Sequence, residues 1–275
     1  MSYKMIVLDL DGTLMSSKNE ILPKTKEALF KAQEQGVMIV LASGRPTYGM
    51  VKAAKELRLD EYPGYILSYN GGRIISVQTN EMIYDDSLTP EICHELYDLS
   101  REMNVNIMAY EDEAIITADD DQYIQKEAHI NGMPINRVEN FKDSVTFNSV
   151  KCLCTAEPEY LAQVEIKMKE RLGDRLSITR SLPFFLEFMP QNINKAYSLQ
   201  KLLEHVGLDK SQLIACGDGY NDLPMIEFAG LGVAMGNAVD EVKAAANYVT
   251  ATNDEDGIAQ VIEKFILNNY LIIKK

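Results

Sequence analysis

The chain has 275 residues, 46% of them hydrophobic and 25% charged, an ordinary globular balance that allows a large core. Its 27 Lys and Arg face 41 Asp and Glu, for a formal charge of −14. A surface this acidic repels nucleic acid and anionic membrane, and no apolar run approaches the ~20 residues of a membrane span. A small phosphorylated partner is still admitted where a cation or a helix N-terminus screens its charge.

Met1 to Lys4 lead without a signal-peptide pattern into Met5-Ile6-Val7-Leu8, a short apolar run that stops at Asp9. Pro23 to Gln35 reads as a helix, with Pro near its start and Gly36 after its end. Val37 to Leu41 is the next apolar run and stops at Ala42-Ser43-Gly44; Tyr65-Ile66-Leu67 stops at Ser68-Tyr69-Asn70-Gly71. Runs this short and continuously apolar suit parallel strands buried on both faces.

From about Tyr84 to Met189 the pattern changes. A helix from Thr89-Pro90 carries Ile92, Leu96, Leu99 and Met103 on one face. Asn106 to Tyr110 and Ala114 to Thr117 flank Glu111-Asp112-Glu113 as a hairpin, and Asp119-Asp120-Asp121 reads as a solvated loop. Val150 to Thr155 is a strand that puts Cys152 and Cys154 on one side, as buried free thiols. A helix over Pro158 to Leu172 and a strand over Phe184 to Met189 complete this α+β segment. The remaining cysteines, Cys93 and Cys216, make no C-x-x-C pair or disulfide framework, which points to a reduced, cytoplasmic setting.

The parallel pattern then resumes. Lys195 to Val206 is an amphipathic helix closed by Gly207, and Leu213 to Cys216 is a strand ending in Gly217-Asp218-Gly219. A short helix from Pro224 to Ala229 follows, then a strand from Leu231 to Met235, and Ile258 to Ile266 repeat at helical spacing. The expected architecture is a doubly wound parallel-sheet α/β core, residues 1–83 and 190–275, with an α+β domain inserted at 84–189. Ligands of such sheets gather beyond the carboxyl ends of the strands, where the polar residues above fall.

Asp9 and Asp11 are the sharpest chemical feature, because residues two apart in extended chain point to one side and two buried acids repel unless a cation or a shared proton relieves them. An Asp-Gly turn is the plain alternative. Ser43-Gly44 offers a hydroxyl and amides for a phosphoryl oxygen, or else a helix cap. Lys195 at a helix start suits an anion, or is a solvated surface charge. Gly217 to Asp222 adds two carboxylates, or an Asx-type turn. Taken together, an oxygen-rich set with a lysine favours a hard cation and a phosphate, and a carboxylate can attack phosphorus while a neighbouring acid protonates the leaving group.

Asp9-Leu10-Asp11-Gly12-Thr13-Leu14 resembles the first motif of the haloacid dehalogenase-like phosphatases, Ser43 the second, Lys195 the third, and Gly217-Asp218 with Asn221-Asp222 the fourth. The order is the family's, and the resemblance spans essentially the whole chain. Ala42 to Pro46, Asn70-Gly71-Gly72, Ala234 to Ala238 and Asn253 to Gly257 resemble the Cof-type sugar-phosphate branch more closely. Ala196 departs from the Gly common in that branch after the lysine. The resemblance implies a Rossmann-like core and these roles: Asp9 as nucleophile and Mg²⁺ ligand, and Asp11 as acid then base with its backbone carbonyl on the metal. Asp218 would be a further ligand, and Asp222 would orient a water of the ion. Leu10, Ser43, Gly44, Lys195 and Asn221 would hold phosphoryl oxygens.

Only 31 residues lie between Asp11 and Ser43, whereas 124 lie between Asn70 and Lys195. The cap is therefore expected between motifs two and three, the C2 type. The resulting expectation is a Mg²⁺-dependent cytoplasmic phosphatase acting on small phosphomonoesters, most of all sugar phosphates, through an aspartyl-phosphate. A sugar phosphomutase and a non-enzymatic phosphometabolite sensor are the rivals. No feature of the sequence reads on the oligomeric state.

Overall fold

A computed structural model of the chain describes residues 3–111, 114–191 and 193–268. Its strands are β1 (Met5–Asp9), β2 (Met38–Ala42), β3 (Gly64–Ser68), β4 (Arg73–Ser76), β5 (Met82–Asp85), β6 (Asn106–Glu111), β7 (Ala114–Thr117), β8 (Ile135–Arg137), β9 (Cys152–Thr155), β10 (Leu176–Leu182), β11 (Phe185–Pro190), β12 (Leu213–Gly217), β13 (Leu231–Ala234) and β14 (Tyr248–Val249). The α-helices are α1 (Pro23–Glu34), α2 (Val51–Glu56), α3 (Pro90–Glu102), α4 (Gln122–Asn131), α5 (Phe141–Ser144), α6 (Pro158–Leu172), α7 (Lys195–Val206), α8 (Leu223–Phe228), α9 (Asp240–Ala245) and α10 (Gly257–Ile262). Among the described residues no helix is long and apolar enough to cross a membrane.

Two compact units emerge. The first comprises Met1–Gly44, Met50–Tyr84 and Asn194–Lys275. The second comprises Arg45–Gly49 and Asp85–Ile193, so the short segment after Gly44 groups with the inserted part of the chain rather than with 1–83. The cause is local packing inside that unit: the Cβ direction of Gly49 meets Asn131 Oδ1 at 3.5 Å, and that of Gly132 meets the Tyr48 ring at 3.9 Å.

The first unit is built on one sheet in the order β14-β13-β12-β1-β2-β3-β4-β5. The pairs from β14 to β3 are parallel, and β4 runs antiparallel to β3. All five residues of β1 are buried, as a central strand covered on both faces requires. From β1 the chain builds outward through β2 and β3 on one side, then returns through β12 and β13 on the other. That reversal is the topological switch point, and its crevice opens at the carboxyl ends of β1, β2 and β12. Helices α1 and α10 pack together, as do α7 and α8.

The second unit carries a sheet in the order β10-β11-β9-β6-β7-β8, antiparallel except for the β7–β8 pair. Period-two alternation divides its side chains between two clusters. Ile107, Cys152, Cys154, Leu186 and Phe188 share one with α3 and α6; Met108, Tyr110, Leu153 and Phe185 share the other with Ile124 of α4. Cys152 and Cys154 are thus on one side as expected, and all four cysteines are free and buried. Phe184 stacks on Tyr123, its ring centroid 4.7 Å away, and meets Phe185 edge-on. His94 packs with Nε2 2.9 Å from the Val145 carbonyl.

The short β8, the strand β10 and helix α4 have no counterpart in the sequence reading. Asp119 to Asp121 is a loop as expected, with Asp120 exposed, but its outer two acids have structural bonds. Asp121 caps α4 by accepting from Ile124 N, and Asp119 accepts from the Arg101 guanidinium and from Ile107 N. Sheet β6–β7 pairs as the expected hairpin does; Asp112 and Glu113, expected at its turn, lie outside the described residues.

One buried ion cluster stiffens this second unit. Lys151, 3% exposed, lies with Nζ 3.1 Å from Glu187 Oε1 and 3.9 Å from Glu127 Oε1, above the Tyr110 ring. Tyr110 donates its hydroxyl to Glu127 Oε1 at 2.6 Å. Burial pulls the Lys151 pKa down, but the carboxylates of Glu187 and Glu127 more than offset this and hold it above its usual value. Lys151→Met would strand two acids in an apolar layer, and breaking such a cluster costs about 3–5 kcal/mol. Urea unfolding should show a lower midpoint with an unchanged slope. Because the folded pKa of Lys151 is raised, its contribution is complete below its unfolded pKa and is lost as pH rises through the folded value.

Candidate active site

Asp9 is the last residue of β1, and the chain curls immediately after it. The Leu10 carbonyl accepts from Thr13 N and Met15 N, and the Asp9 carbonyl from Leu14 N. Gly12 has φ +83°, and a Cβ there would meet Asp218 Oδ2 at 2.3 Å. Only glycine lets this turn press against the Asp218 carboxylate. The curl also ends the extended geometry at Asp9. Asp9 is 5% exposed whereas Asp11, already beyond the strand, is exposed, so the two acids are not the same-side buried pair that their spacing suggests.

A different set of acids converges. Asp9, Asp218 and Asp222 each place a carboxylate oxygen within 4.8 Å of the others. Lys195, the first residue of α7 and wholly buried, reaches into them. Its Nζ donates to Asp9 Oδ1 at 2.6 Å, to Asp222 Oδ1 at 2.6 Å and to the Ala42 carbonyl at 3.2 Å. Three N–H groups and three acceptors match, so the ammonium ties the ends of β1 and β2 to the turn after β12. Asn194 fixes where the lysine starts, by capping α7 with a bond from Tyr197 N.

Asp222 is likewise fully engaged. Its Oδ1 takes the lysine, and its Oδ2 accepts from Asp218 N at 2.9 Å and Gly219 N at 3.0 Å. A Cβ on Gly217 would meet the Asp222 side chain at 2.4–2.6 Å, so this glycine is needed for close approach. Asp222 therefore shapes the loop that presents Asp218. Asp218 itself is half-buried and accepts from Thr13 Oγ1 at 2.9 Å, a contact from Asp9's own loop that no sequence signal marked.

The donors gather beside the acids. Ser43 follows β2; its amide donates to Leu67 O, and its carbonyl accepts from Asn70 N. The Cβ direction of Gly44 meets Asn70 Nδ2 at 3.0 Å, and Asn70 Oδ1 accepts from Asn221 Nδ2 at 3.1 Å. Asn70, with φ +55°, thus links the second and fourth motifs. Its place after β3 in Asn70-Gly71-Gly72 was the available signal. Arg45 groups with the second unit.

Charge decides what the cluster can hold. Three carboxylates face one ammonium in a largely buried space. Burial drives the Asp9 carboxyl up to about 8, against the pull of Lys195, with Asp222 and Asp218 adding to the rise. Burial also raises Asp218. Acids held in excess of their counter-charge, presenting only oxygens, fit a hard divalent cation. Asp9 and Asp218 have oxygens to offer it, while those of Asp222 are engaged with protein donors.

The haloacid dehalogenase-like hydrolase family matches residues 6–262 of this chain. YxeH of Bacillus subtilis, a presumed phosphatase, is 32% identical over 269 residues, covering 96% of this chain and 99% of its own. A haloacid dehalogenase-like hydrolase from Bacteroides thetaiotaomicron is 50% identical with a TM-score of 0.91, over 96% of this chain and 99% of that one. BT4131, a sugar phosphatase of subclass IIB, is 25% identical with a TM-score of 0.74, over 95% and 98%.

Proposed function

Because the chain belongs to the haloacid dehalogenase-like hydrolases and is a phosphatase of that family, we propose that it hydrolyses small sugar phosphates in the cytoplasm with Mg²⁺, through an aspartyl-phosphate on Asp9. One observation carries this reading: a buried carboxylate at the switch point whose Oδ1 is held by a lysine at 2.6 Å. That bond fixes the rotamer and leaves the other oxygen for attack. The sugar class is supported by the likeness to BT4131. We also assign residues 84–189 as the inserted domain.

In the first step an Asp9 oxygen bonds to phosphorus as the ester P–O bond breaks, and Asp11 gives its proton to the departing sugar oxygen. In the second, the Asp11 carboxylate takes a proton from water. The hydroxide attacks phosphorus, releasing phosphate and restoring Asp9. Lys195, expected among the groups that hold the phosphate, has its three N–H groups engaged by Asp9, Asp222 and the Ala42 carbonyl, so it offsets part of the charge of the two acids, while Ser43, the amides of Leu10 and Gly44, and Asn221 receive phosphoryl oxygens. Mg²⁺, held by Asp9, Asp218 and the Asp11 carbonyl, would offset the charge of the phosphoryl group. The exposed position of Asp11, outside the carboxylate cluster, suits a group that must meet both leaving group and water.

Asp11→Asn tests the assignment. Asp9 can still attack, but a poor leaving group loses its proton donor. General acid help is worth about 10²–10⁴, so single-turnover phosphorylation by a sugar phosphate should fall by that order. Phosphorylation by p-nitrophenyl phosphate, whose leaving group needs little help, should fall far less. Equal losses would remove Asp11 from the acid role. A sensor would turn over neither substrate, and a mutase would require a bisphosphate activator.

A further inference from the structure

Two stretches singled out by the sequence, Ala234 to Ala238 and Asn253 to Gly257, have no part in the chemistry above. Both bond to the loop that carries Asp11. Asn237 donates through Nδ2 to the Gly12 carbonyl at 2.7 Å and accepts through Oδ1 from Asn253 N at 3.0 Å. Asn253 in turn donates through Nδ2 to the Met15 carbonyl at 2.8 Å, and Asp254 Oδ1 accepts from Ser17 N at 2.8 Å. Farther along, Asp256 Oδ1 accepts from Thr25 N and Thr25 Oγ1. The turn holding Asn253 is itself closed by a reciprocal pair of bonds between Thr252 and Glu255.

These bonds bracket Asp11. Gly12 is its neighbour, and Met15 is the residue to which Asp11 is bridged in strand-like fashion. Asp9 needs no such help, since β1 is paired on both sides and Lys195 holds its carboxylate. Asp11 lies past the last sheet pairing and is exposed, so its placement depends on the loop. The primary amide at 237 supplies the donor for one carbonyl and the acceptor for one amide from two separate atoms of a single short side chain. Asp218 has its own attachments, to Thr13 Oγ1 and, through its carbonyl, to Val239 N.

We propose that Asn237, braced by Asn253, is a positioning residue that holds Asp11 where it can protonate the leaving group. The inference rests on the reading of Asp11 as general acid. Asn237 is exposed and its bonds lie at the solvent edge, so their loss should leave the buried sheet folded. A displacement of about 1 Å in a catalytic group costs roughly 10²-fold, and that loss should be felt only where acid help is needed.

The experiment compares Asn237→Ala, Asn237→Asp and Asn253→Ala in single-turnover phosphorylation. The substrates are p-nitrophenyl phosphate and the best-hydrolysed member of a hexose and pentose phosphate panel. Asn237→Asp keeps the shape and the acceptor, but sets a carboxylate against the Gly12 carbonyl, and it serves if the alanine variant does not fold. The sugar phosphate rate should fall about 10- to 100-fold and the aryl phosphate rate less than about threefold. All rates are read at saturating Mg²⁺, because a shift of Asp11 also moves the backbone carbonyl proposed to hold the ion. Repeating Asn237→Ala on an Asp11→Asn background should cost less than about threefold more, since both changes act through one group. Equal losses on the two substrates, or the same loss with and without the Asp11 carboxyl, would overturn the proposal. If Asp11→Asn alone shows no leaving-group dependence, the acid assignment fails; the double-variant comparison still reads whether Asn237 acts through position 11.

Discussion

Asp9→Asn is expected to lower kcat by at least about 10³, because it removes the nucleophile and one carboxylate of the cation site together. The amide keeps the shape of the acid, and its Oδ1 can still accept the Lys195 bond seen at 2.6 Å. Loss of activity should therefore come without loss of fold. The sign of the stability change follows from the buried charge. A carboxyl raised from 3.8 to about 8 on folding costs nothing below the unfolded value, and costs progressively more as pH rises toward 8. The amide has no such cost, so in chelator-containing buffer the variant should melt at the same temperature as wild type or higher. Turnover within tenfold of wild type would sink the nucleophile assignment. A large fall in melting temperature would show that Asp9 is needed for folding.

Lys195→Met should have the second largest effect, and it should damage both activity and stability. The side chain is wholly buried, and all three of its hydrogen bonds go to groups at the strand ends. Methionine fills similar volume but leaves Asp9 and Asp222 facing each other without a counter-charge. Leaving buried charge unpaired costs about 3–5 kcal/mol, which calorimetry or urea unfolding will read. Removing one preorganised charge from a site of this kind costs about 10²–10³ in kcat. A variant that unfolds like wild type would mean that the acids are neutralised by other means. One that is destabilised yet turns over within tenfold of wild type would confine Lys195 to a structural role.

The two variants contrast because the two groups meet the fold differently. Asp9 is an acid whose burial opposes its charge, so the sheet tolerates its neutralisation. Among the described residues Lys195 is the one cation bonded to the Asp9 and Asp222 carboxylates, so its loss removes that counter-charge.

Much of this was legible in the chain itself, because the signals are local. Helices α6 and α7 begin and end where their apolar stripes, the Pro at the start of α6 and the Gly after α7 place them. The runs that became β1, β2, β12 and β13 stop at the polar residues that mark the carboxyl edge. An acid ending a wholly apolar strand, with more acids at the end of another, already points to charge gathered at one crevice. What periodicity cannot carry is a bond between distant positions. Thr13 reaches Asp218 across 205 residues and Asn237 reaches Gly12 across 225; both lie in stretches that the resemblance singled out, but nothing in the sequence names their partners. The curl after Asp9 is equally hidden. Spacing set Asp9 and Asp11 on one side, and the structure buries one and exposes the other, because Gly12 at positive φ turns the chain toward Asp218. In the second unit, β8, β10 and α4 escaped notice for a related reason. β8 and β10 are the edge strands of their sheet and bury few positions, while two of the four buried positions of α4, Glu127 and Asn131, are polar and interrupt its apolar stripe; all three are held by pairing or by the Asp121 cap. The sequence alone determined which chemistry-bearing residues come to the strand ends. Folding decided which of them are buried together, since charge pairing and close backbone approach depend on neighbours that only the tertiary structure supplies.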